Sequence, residues 1–189
     1  MNAKDKKILI IDDSPEDIEV VIENLKNDYA VLVGTDGQKG LDLAANEPRP
    51  DVILLDVMMP QMDGYETCRR LKENPETQDI DVIFVSGKDT TEEKLAGYDA
   101  GGSDYLIKPV QPEELVRKVK LAIDNKQARE ETVTEKSVAM ETAMAAMTSA
   151  GEQGVVLEFL RHCHSINSME ELAKKVVESI CQYDLENTV

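Results

Sequence analysis

Five short apolar segments, rich in β-branched residues and bounded by turn residues, recur between residues 8 and 107 of the chain. Their hydrophobicity is continuous rather than alternating, which is typical of strands buried on both faces of a parallel sheet. Amphipathic stretches separate them, so strand and helix alternate five times. We therefore predict a doubly wound α/β domain over residues 4–125. The predicted strands are Ile8–Ile11, Tyr29–Val33, Val52–Leu55, Val82–Val85 and Tyr105–Ile107.

The first amphipathic stretch has clear helix signals. Ser14 suits the N-cap, and Pro15 suits the first helical position. The apolar residues that follow share the spacing of one helix face: Ile18, Val21, Ile22 and Leu25. Four further helices are predicted at about 37–46, 65–73, 91–100 and 112–124.

Charge and composition narrow the function classes. The chain of 189 residues has a net charge of −17, which argues against nucleic acid and anionic membranes as partners because both require clustered basic residues. No apolar run approaches the length of a membrane span, and no signal peptide is expected at the N-terminus. Three widely spaced cysteines favour free thiols in a reducing compartment, so we expect a cytoplasmic protein.

Chemically reactive residues stand directly after four of the predicted strands. In an open parallel sheet, ligands bind outside the carboxyl ends of the strands. If strands one and three are neighbours, three carboxylates converge in a shallow cleft at an exposed rim of the sheet. The residues are Asp12 and Asp13 after strand one, Asp56 after strand three, Ser86 and Gly87 after strand four, and Lys108 and Pro109 after strand five.

Three carboxylates at close range repel one another unless a cation lies among them. Hard oxygen ligands suit Mg²⁺, the Lys108 ammonium adds positive charge, and Ser86 offers a hydroxyl donor. This combination predicts phosphoryl transfer to a carboxylate, with Asp56 as the nucleophile. Taken singly, these residues also have ordinary explanations, such as an acidic pair at a helix N-terminus or a solvated lysine.

In these residues the chain resembles the response-regulator receiver domains of two-component signalling. The matching segments are I-L-I-I-D-D-S at 8–14, L-L-D-V-M-M-P-Q-M-D-G at 54–64, V-S-G at 85–87 and Y-L-I-K-P at 105–109. The resemblance covers about residues 4–125 and is specific because all four segments occur in order. It implies a flavodoxin-like sheet of strand order 2-1-3-4-5.

The resemblance also implies how the site works. Asp56 would accept a phosphoryl group from a partner histidine kinase or phosphotransfer protein. The Mg²⁺ ion would be arranged by Asp12 (through water), Asp13, Asp56 and the backbone carbonyl of Met58.

Three further residues take roles from the same resemblance. Ser86 and Lys108 would contact the phosphoryl group. Tyr105 would be the aromatic side chain that turns inward on activation. The peptide bond between Lys108 and Pro109 is expected to be cis.

Residues 126–150 are predicted to be a helical linker that continues the fifth helix. Neither Gly nor Pro occurs in residues 113–148, so this helix can run to about Ala146. Its apolar residues follow the alternating three- and four-residue spacing of a coiled coil, interrupted by Lys126, Glu130 and Ser137. The segment is therefore either a dimerising helix or a linker that is solvated or packed elsewhere. The spaced residues are Val116, Val119, Ile123, Val133, Met140, Met144 and Met147.

Residues 151–189 are predicted to form a short helical element, with helices near Val155–His162 and Met169–Tyr183. Ser168 and Glu171 give the second of these a capping box. The element is either a small output or dimerisation unit of an adaptor-like regulator or the start of a further domain. The stretch 168–184 resembles the entry helix of GAF-type sensory domains. The segment His162-Cys163-His164 lacks the further ligands that a metal site requires.

We predict a cytoplasmic bacterial response regulator that signals through protein–protein contacts, with a homodimer through the C-terminal helices as one expected assembly. No enzymatic activity is expected beyond its own aspartyl phosphorylation and dephosphorylation. The alternative is the N-terminal part of a larger regulator with an enzymatic or sensory output. A haloacid-dehalogenase-like phosphohydrolase would require Asp-x-Asp after the strand, whereas Val57 and Met58 follow Asp56.

Overall fold

A computed structural model of the chain describes residues 6–149 together with 173, 174, 176 and 177. Five parallel strands form one sheet in the order β2-β1-β3-β4-β5, which confirms the predicted fold class. The strands are β1 (Lys7–Ile11), β2 (Ala30–Gly34), β3 (Val52–Asp56), β4 (Asp81–Ser86) and β5 (Asp104–Ile107). The helices are α1 (Pro15–Leu25), α2 (Gly37–Ala45), α3 (Gly64–Glu73), α4 (Thr91–Asp99) and α5 (Pro112–Ser149).

Hydrophobic cores cover both faces of the sheet, as continuous apolar strands require. Alternate residues of each central strand point to opposite faces, so Leu54 packs towards α1 and α5 while Ile53 and Leu55 pack towards α2 and α3. The predicted apolar stripe of α1 lies in the first core, where Ile18, Val21 and Leu25 are buried and Ile22 is partly buried.

Side-chain caps fix the starts of the helices that follow the functional strand ends. The Asp17 N–H donates to the Ser14 hydroxyl, and Pro15 occupies the first turn of α1. The Glu66 N–H donates to the Asp63 carboxylate at the start of α3, over 2.7 Å. Each cap satisfies an N–H that the helix leaves unpaired. The caps therefore hold the loops after β1 and β3 in place.

The fifth helix runs to Ser149, close to the predicted continuation to about Ala146. The chain divides into two compact units, Met1–Gln127 and Ala128–Val189. In the second unit the structure describes residues 128–149, which belong to α5, and residues 173, 174, 176 and 177, which are also helical. The predicted helix Val155–His162 and most of the predicted helix Met169–Tyr183 lie outside the described residues. No helix in the described part of the chain is long and apolar enough to cross a membrane.

The first part of the predicted coiled-coil seam belongs to the core of the first unit. Val119 is fully buried and Ile123 is buried beneath the sheet, with Val116 partly buried against the same core. The interpretation of these three residues as a contact between helices of two copies is therefore wrong. Further along α5, the Val133 side chain is 67% exposed.

Candidate functional site

Three aspartates meet at the carboxyl ends of β1 and β3. These strands are neighbours, with Ile11 paired to Leu55, so the residues that follow them lie side by side. Oxygen atoms of Asp12, Asp13 and Asp56 lie within 4.8 Å of one another. This confirms that the three carboxylates converge.

Two of the three carboxylates are buried. Asp12 is 5% exposed and Asp56 is 4% exposed, whereas Asp13 is exposed. The expectation that Asp56 stands at an exposed rim was therefore wrong for its side chain. Asp56 is the last residue of β3, and all five residues of that strand are buried.

The Lys108 ammonium lies at the centre of the site, brought there by the loop between β5 and α5. It donates to Asp56 Oδ1 over 2.6 Å and to Asp12 Oδ2 over 2.8 Å. A third hydrogen bond, also 2.8 Å, goes to Asp17 Oδ2 in the first turn of α1. An ammonium has three hydrogens, so these contacts use all of them. The peptide bond between Lys108 and Pro109 is cis, as the resemblance implied.

Sequence reasoning missed Asp17. Its side chain is 43% exposed, and it stands one helical turn after the Asp12–Asp13 pair. The available signal was its position: a first-turn residue of a helix that begins beside the carboxyl end of β1 lies near that strand's end.

The charged groups shift one another's protonation. Burial raises the pKa of Asp56 above its ordinary value, and the nearby Asp12 adds to this, although the Lys108 ammonium acts in the opposite direction. Burial would lower the pKa of Lys108, but its hydrogen bonds to the three aspartates outweigh this and raise that pKa. Lys108 is therefore a permanent cation at neutral pH.

A chain of hydrogen bonds runs from the end of β4 to Tyr105. The Ser86 side chain is fully buried, and its hydroxyl accepts from the Lys88 N–H over 3.3 Å. The Lys88 carbonyl accepts from the Tyr105 hydroxyl over 3.2 Å. Tyr105 is 7% exposed, so its ring lies inward in this structure. One residue, Lys88, thus connects the Ser86 hydroxyl to the Tyr105 hydroxyl.

Three aromatic side chains, one of them Tyr105, lie next to one another. The ring centroids of Tyr105 and Phe84 are 6.3 Å apart, and those of Phe84 and Tyr65 are 5.3 Å apart. The Tyr65 hydroxyl donates to the Glu93 carbonyl in α4, over 3.1 Å. The three rings link β4 and β5 to helices α3 and α4.

The loop after Asp56 closes tightly on itself. The Gly64 N–H donates to the Val57 carbonyl over 2.9 Å. A Cβ atom on Gly64 would stand 2.2 Å from the Asp56 carbonyl oxygen, so only glycine fits here. In the same loop, the Met58 N–H hydrogen bonds to the Asp56 carboxylate, and the Met58 side chain is 61% exposed.

A cavity of about 110 Å³ adjoins the site on the side of α1. Its polar lining includes Asp12, Asp17, Asp56 and Lys108. Asp17 therefore faces the same space as the buried carboxylates, although part of it reaches solvent.

Residues 8–120 match the family described as the response regulator receiver domain. The chain belongs to this family. Members of this family accept a phosphoryl group on an aspartate, as the resemblance implied. The strand order and the aspartate cluster of this chain agree with that membership.

The curated relatives of this chain include proteins of different kinds. The chain is 37% identical over 123 residues to a probable cyclic di-GMP phosphodiesterase of Vibrio cholerae, matching 65% of this chain and 28% of that protein. It is 41% identical over 115 residues to the response regulator MprA of a Mycobacterium species, matching 60% of this chain and 49% of the relative. The matches thus span half or less of the length of these relatives.

A solved structure agrees with the fold. The crystal structure of a putative response regulator from Chloroflexus aurantiacus is 32% identical, with a TM-score of 0.60. The match covers 63% of this chain and 98% of that one. The similarity is therefore one of the receiver domain.

The aspartate cluster has the donors that a magnesium ion requires. Receiver domains bind Mg²⁺ at an acidic pocket, and the oxygen atoms of Asp12, Asp13 and Asp56 are close enough together to share one cation. Carboxylates are the hard oxygen ligands that this ion prefers.

Proposed function

We propose that Asp56 is the phosphoryl acceptor of this receiver domain. The observation that carries the proposal is the position of its carboxylate, which ends β3 beside Asp12 and Asp13 and 2.6 Å from the Lys108 ammonium. The carboxylate oxygen would attack the phosphorus atom of a partner's phosphohistidine, and the phosphorus–nitrogen bond would break as the imidazole leaves. The partner would be a histidine kinase or a phosphotransfer protein.

The remaining site residues would stabilise charge. Lys108 would remain hydrogen bonded to Asp56 and would neutralise negative charge that develops on the oxygens of the phosphoryl group during transfer. The Ser86 hydroxyl would donate a hydrogen bond to one of these oxygens. Asp12, Asp13, Asp56 and the Met58 carbonyl would hold Mg²⁺, with Asp12 acting through water. The ion would supply further positive charge to the phosphoryl oxygens when bound.

Signalling would start at Ser86. A phosphoryl group on Asp56 adds about 1.5 to 2 negative charges and three strong acceptors, which draw the Ser86 hydroxyl towards them. Because that hydroxyl holds the Lys88 N–H, and the Lys88 carbonyl holds the Tyr105 hydroxyl, a shift at Ser86 reaches Tyr105 through one residue. The movement of Ser86 would also vacate space that Tyr105 fills, so phosphorylation would favour the inward position that Tyr105 has in this structure.

The output would be a protein–protein contact, with residues 1–125 as the receiver, 126–150 as a helical linker and 151–189 as a short helical element. We propose action in the cytoplasm, without nucleic acid or membrane as a partner, and no enzymatic activity beyond turnover of the phosphoaspartate. We propose that a homodimer would form through the C-terminal helices, which include α5 beyond the receiver core, where Val133 is exposed. The alternative is the N-terminal part of a larger regulator, an arrangement consistent with the longer curated relatives.

The test is phosphate incorporation from acetyl phosphate in the presence of Mg²⁺. The Asp56→Asn variant should incorporate none. Asp51→Asn changes a second buried aspartate, directly before the start of the same strand, and should incorporate phosphate as the wild type does. Incorporation by Asp56→Asn at the wild-type rate would contradict the assignment. Sedimentation with and without beryllofluoride would then show whether activation changes the oligomeric state.

A further inference from the structure

Asp17 is the one partner of the Lys108 ammonium that does not belong to the group of aspartates able to share a cation. That group consists, among the described residues, of Asp12, Asp13 and Asp56. The other two acceptors of Lys108, Asp12 and Asp56, are members of it. A metal ion and Lys108 therefore compete for the same two carboxylates.

This competition has an electrostatic consequence. A divalent cation drawn to Asp12 and Asp56 weakens their hold on the ammonium and also repels it. The Asp17 carboxylate accepts from Lys108 over 2.8 Å and is not required for the cation. The contribution of Asp17 to holding the ammonium in place is therefore larger when the cation is present than when it is absent.

We propose that Asp17 is a positioning residue that keeps the Lys108 ammonium beside Asp56 while a divalent cation occupies the aspartate cluster. The inference rests on the proposed function, since it assigns a role to Lys108 in the phosphoryl-accepting site. Asp17 does not touch the reacting carboxylate; it acts through Lys108. It stands on the first turn of α1, whose start is fixed by the Ser14 cap and Pro15, so its carboxylate is held on a rigid element.

Linkage gives the measurable effect. If the Asp17 contact strengthens when the cation binds, removing it must weaken cation binding by the same factor. For a charged hydrogen bond whose acceptor is partly exposed, we expect the Mg²⁺ dissociation constant of Asp17→Ala to rise about three- to tenfold. Asp17→Asn, which keeps an acceptor oxygen but loses the charge, should fall between Asp17→Ala and the wild type.

The experiment is an NMR titration of the full chain with MgCl₂, repeated in a Lys108→Met background. Glu19→Ala is the matched control, because it also removes one carboxylate from α1 and Glu19 is exposed. We expect Glu19→Ala to change the dissociation constant less than about twofold, as for a screened surface charge. Asp17→Ala should have no greater effect than this control once Lys108 is replaced.

The outcomes separate the two proposals. An Asp17→Ala effect equal to that of Glu19→Ala, or one that persists in the Lys108→Met background, would overturn the positioning role and leave the proposed function intact. Failure of the wild-type chain to bind Mg²⁺ would overturn both. The backbone spectra of the variants report directly whether each one is folded.

Discussion

Asp56 and Asp51 are both buried aspartates bonded to lysines, yet their surroundings act on them in opposite directions. Burial raises the pKa of Asp56, and Lys108 does not fully offset this. Burial would also raise the pKa of Asp51, but hydrogen bonds from Lys126 and the Lys7 N–H outweigh it and lower that pKa. Replacing each aspartate by asparagine should therefore change stability with opposite sign.

The magnitudes follow from the contacts. Asp51 accepts from Lys126 over 2.8 Å and from the Lys7 N–H over 2.9 Å, and Lys6 lies 3.4 Å away. Loss of its charge should lower the free energy of unfolding by about 1–3 kcal/mol. Asp56→Asn removes a buried charge that repels Asp12, and it also weakens the hydrogen bond to Lys108. Because burial and Asp12 together outweigh Lys108, we expect the free energy of unfolding in metal-free buffer to rise by about 1 kcal/mol.

The two variants should also differ in their pH dependence. The folded-state pKa of Asp51 lies below its unfolded value, so its stabilisation is complete above the unfolded pKa of about 3.9 and is lost as the pH falls through the folded pKa. Asp56 has a raised folded-state pKa, so its favourable contribution is present below the unfolded pKa and is lost as the pH rises through the folded value. The gain in Asp56→Asn should therefore be full at neutral pH and vanish in acid.

The assay is thermal unfolding followed by circular dichroism, with EDTA present and the pH varied. A change of 1 kcal/mol corresponds to roughly 3–6 °C in a domain of this size. Asp56→Asn should raise the midpoint at pH 7 and Asp51→Asn should lower it. If Asp56→Asn lowered the midpoint as much as Asp51→Asn does, the balance of charges described for the site would be wrong.

Three further predictions concern the residues around the site. Gly64→Ala should destabilise the receiver by about 2 kcal/mol or more in urea unfolding, because the added Cβ would clash with the Asp56 carbonyl. The control Gly87→Ala places its Cβ in open space and should change stability by less than about 0.5 kcal/mol. Equal effects of the two substitutions would contradict the tight loop. Burial raises the pKa of the Cys68 thiol to about 11, so this thiol should not react with a thiol reagent at pH 8 in the folded protein. Native wild type and native Cys68→Ser should therefore show the same number of reactive thiols. After denaturation the variant should show one fewer than the wild type. Burial and the neighbouring Tyr105 and Glu93 raise the pKa of Tyr65 to about 12, so the stabilisation from this residue is present below the unfolded pKa of about 10 and is lost as the pH rises through the folded pKa. An ultraviolet titration of Tyr65→Phe should lack a component near pH 12 that the wild type shows, and persistence of that component would refute the assignment.

The fold and most of the site could be predicted because they depend on local patterns. Strands buried on both faces must be apolar throughout, and parallel strands bring the residues after them to one edge, which is why Asp12, Asp56 and Lys108 could be placed together. Asp17 could not be found this way. Its contact depends on how far the Lys108 side chain reaches across from another loop, which only the packed structure determines.

The role of α5 was ambiguous in the sequence for a different reason. Val119 and Ile123 have the spacing of an apolar helix face, and that spacing is the same whether the face packs on a sheet or on a second helix. The structure assigns these residues to the receiver core. Beyond the core, the exposed Val133 leaves dimerisation as a prediction that sedimentation will test.

The central claim is that the acceptor is Asp56, and chemical trapping tests it most directly. After treatment with acetyl phosphate and Mg²⁺, borohydride reduces an aspartyl phosphate to homoserine, which peptide mass spectrometry locates by residue. The account predicts homoserine at position 56 in the wild type and in Asp51→Asn. Homoserine at any other aspartate, or none in a chain that has taken up phosphate, would contradict it.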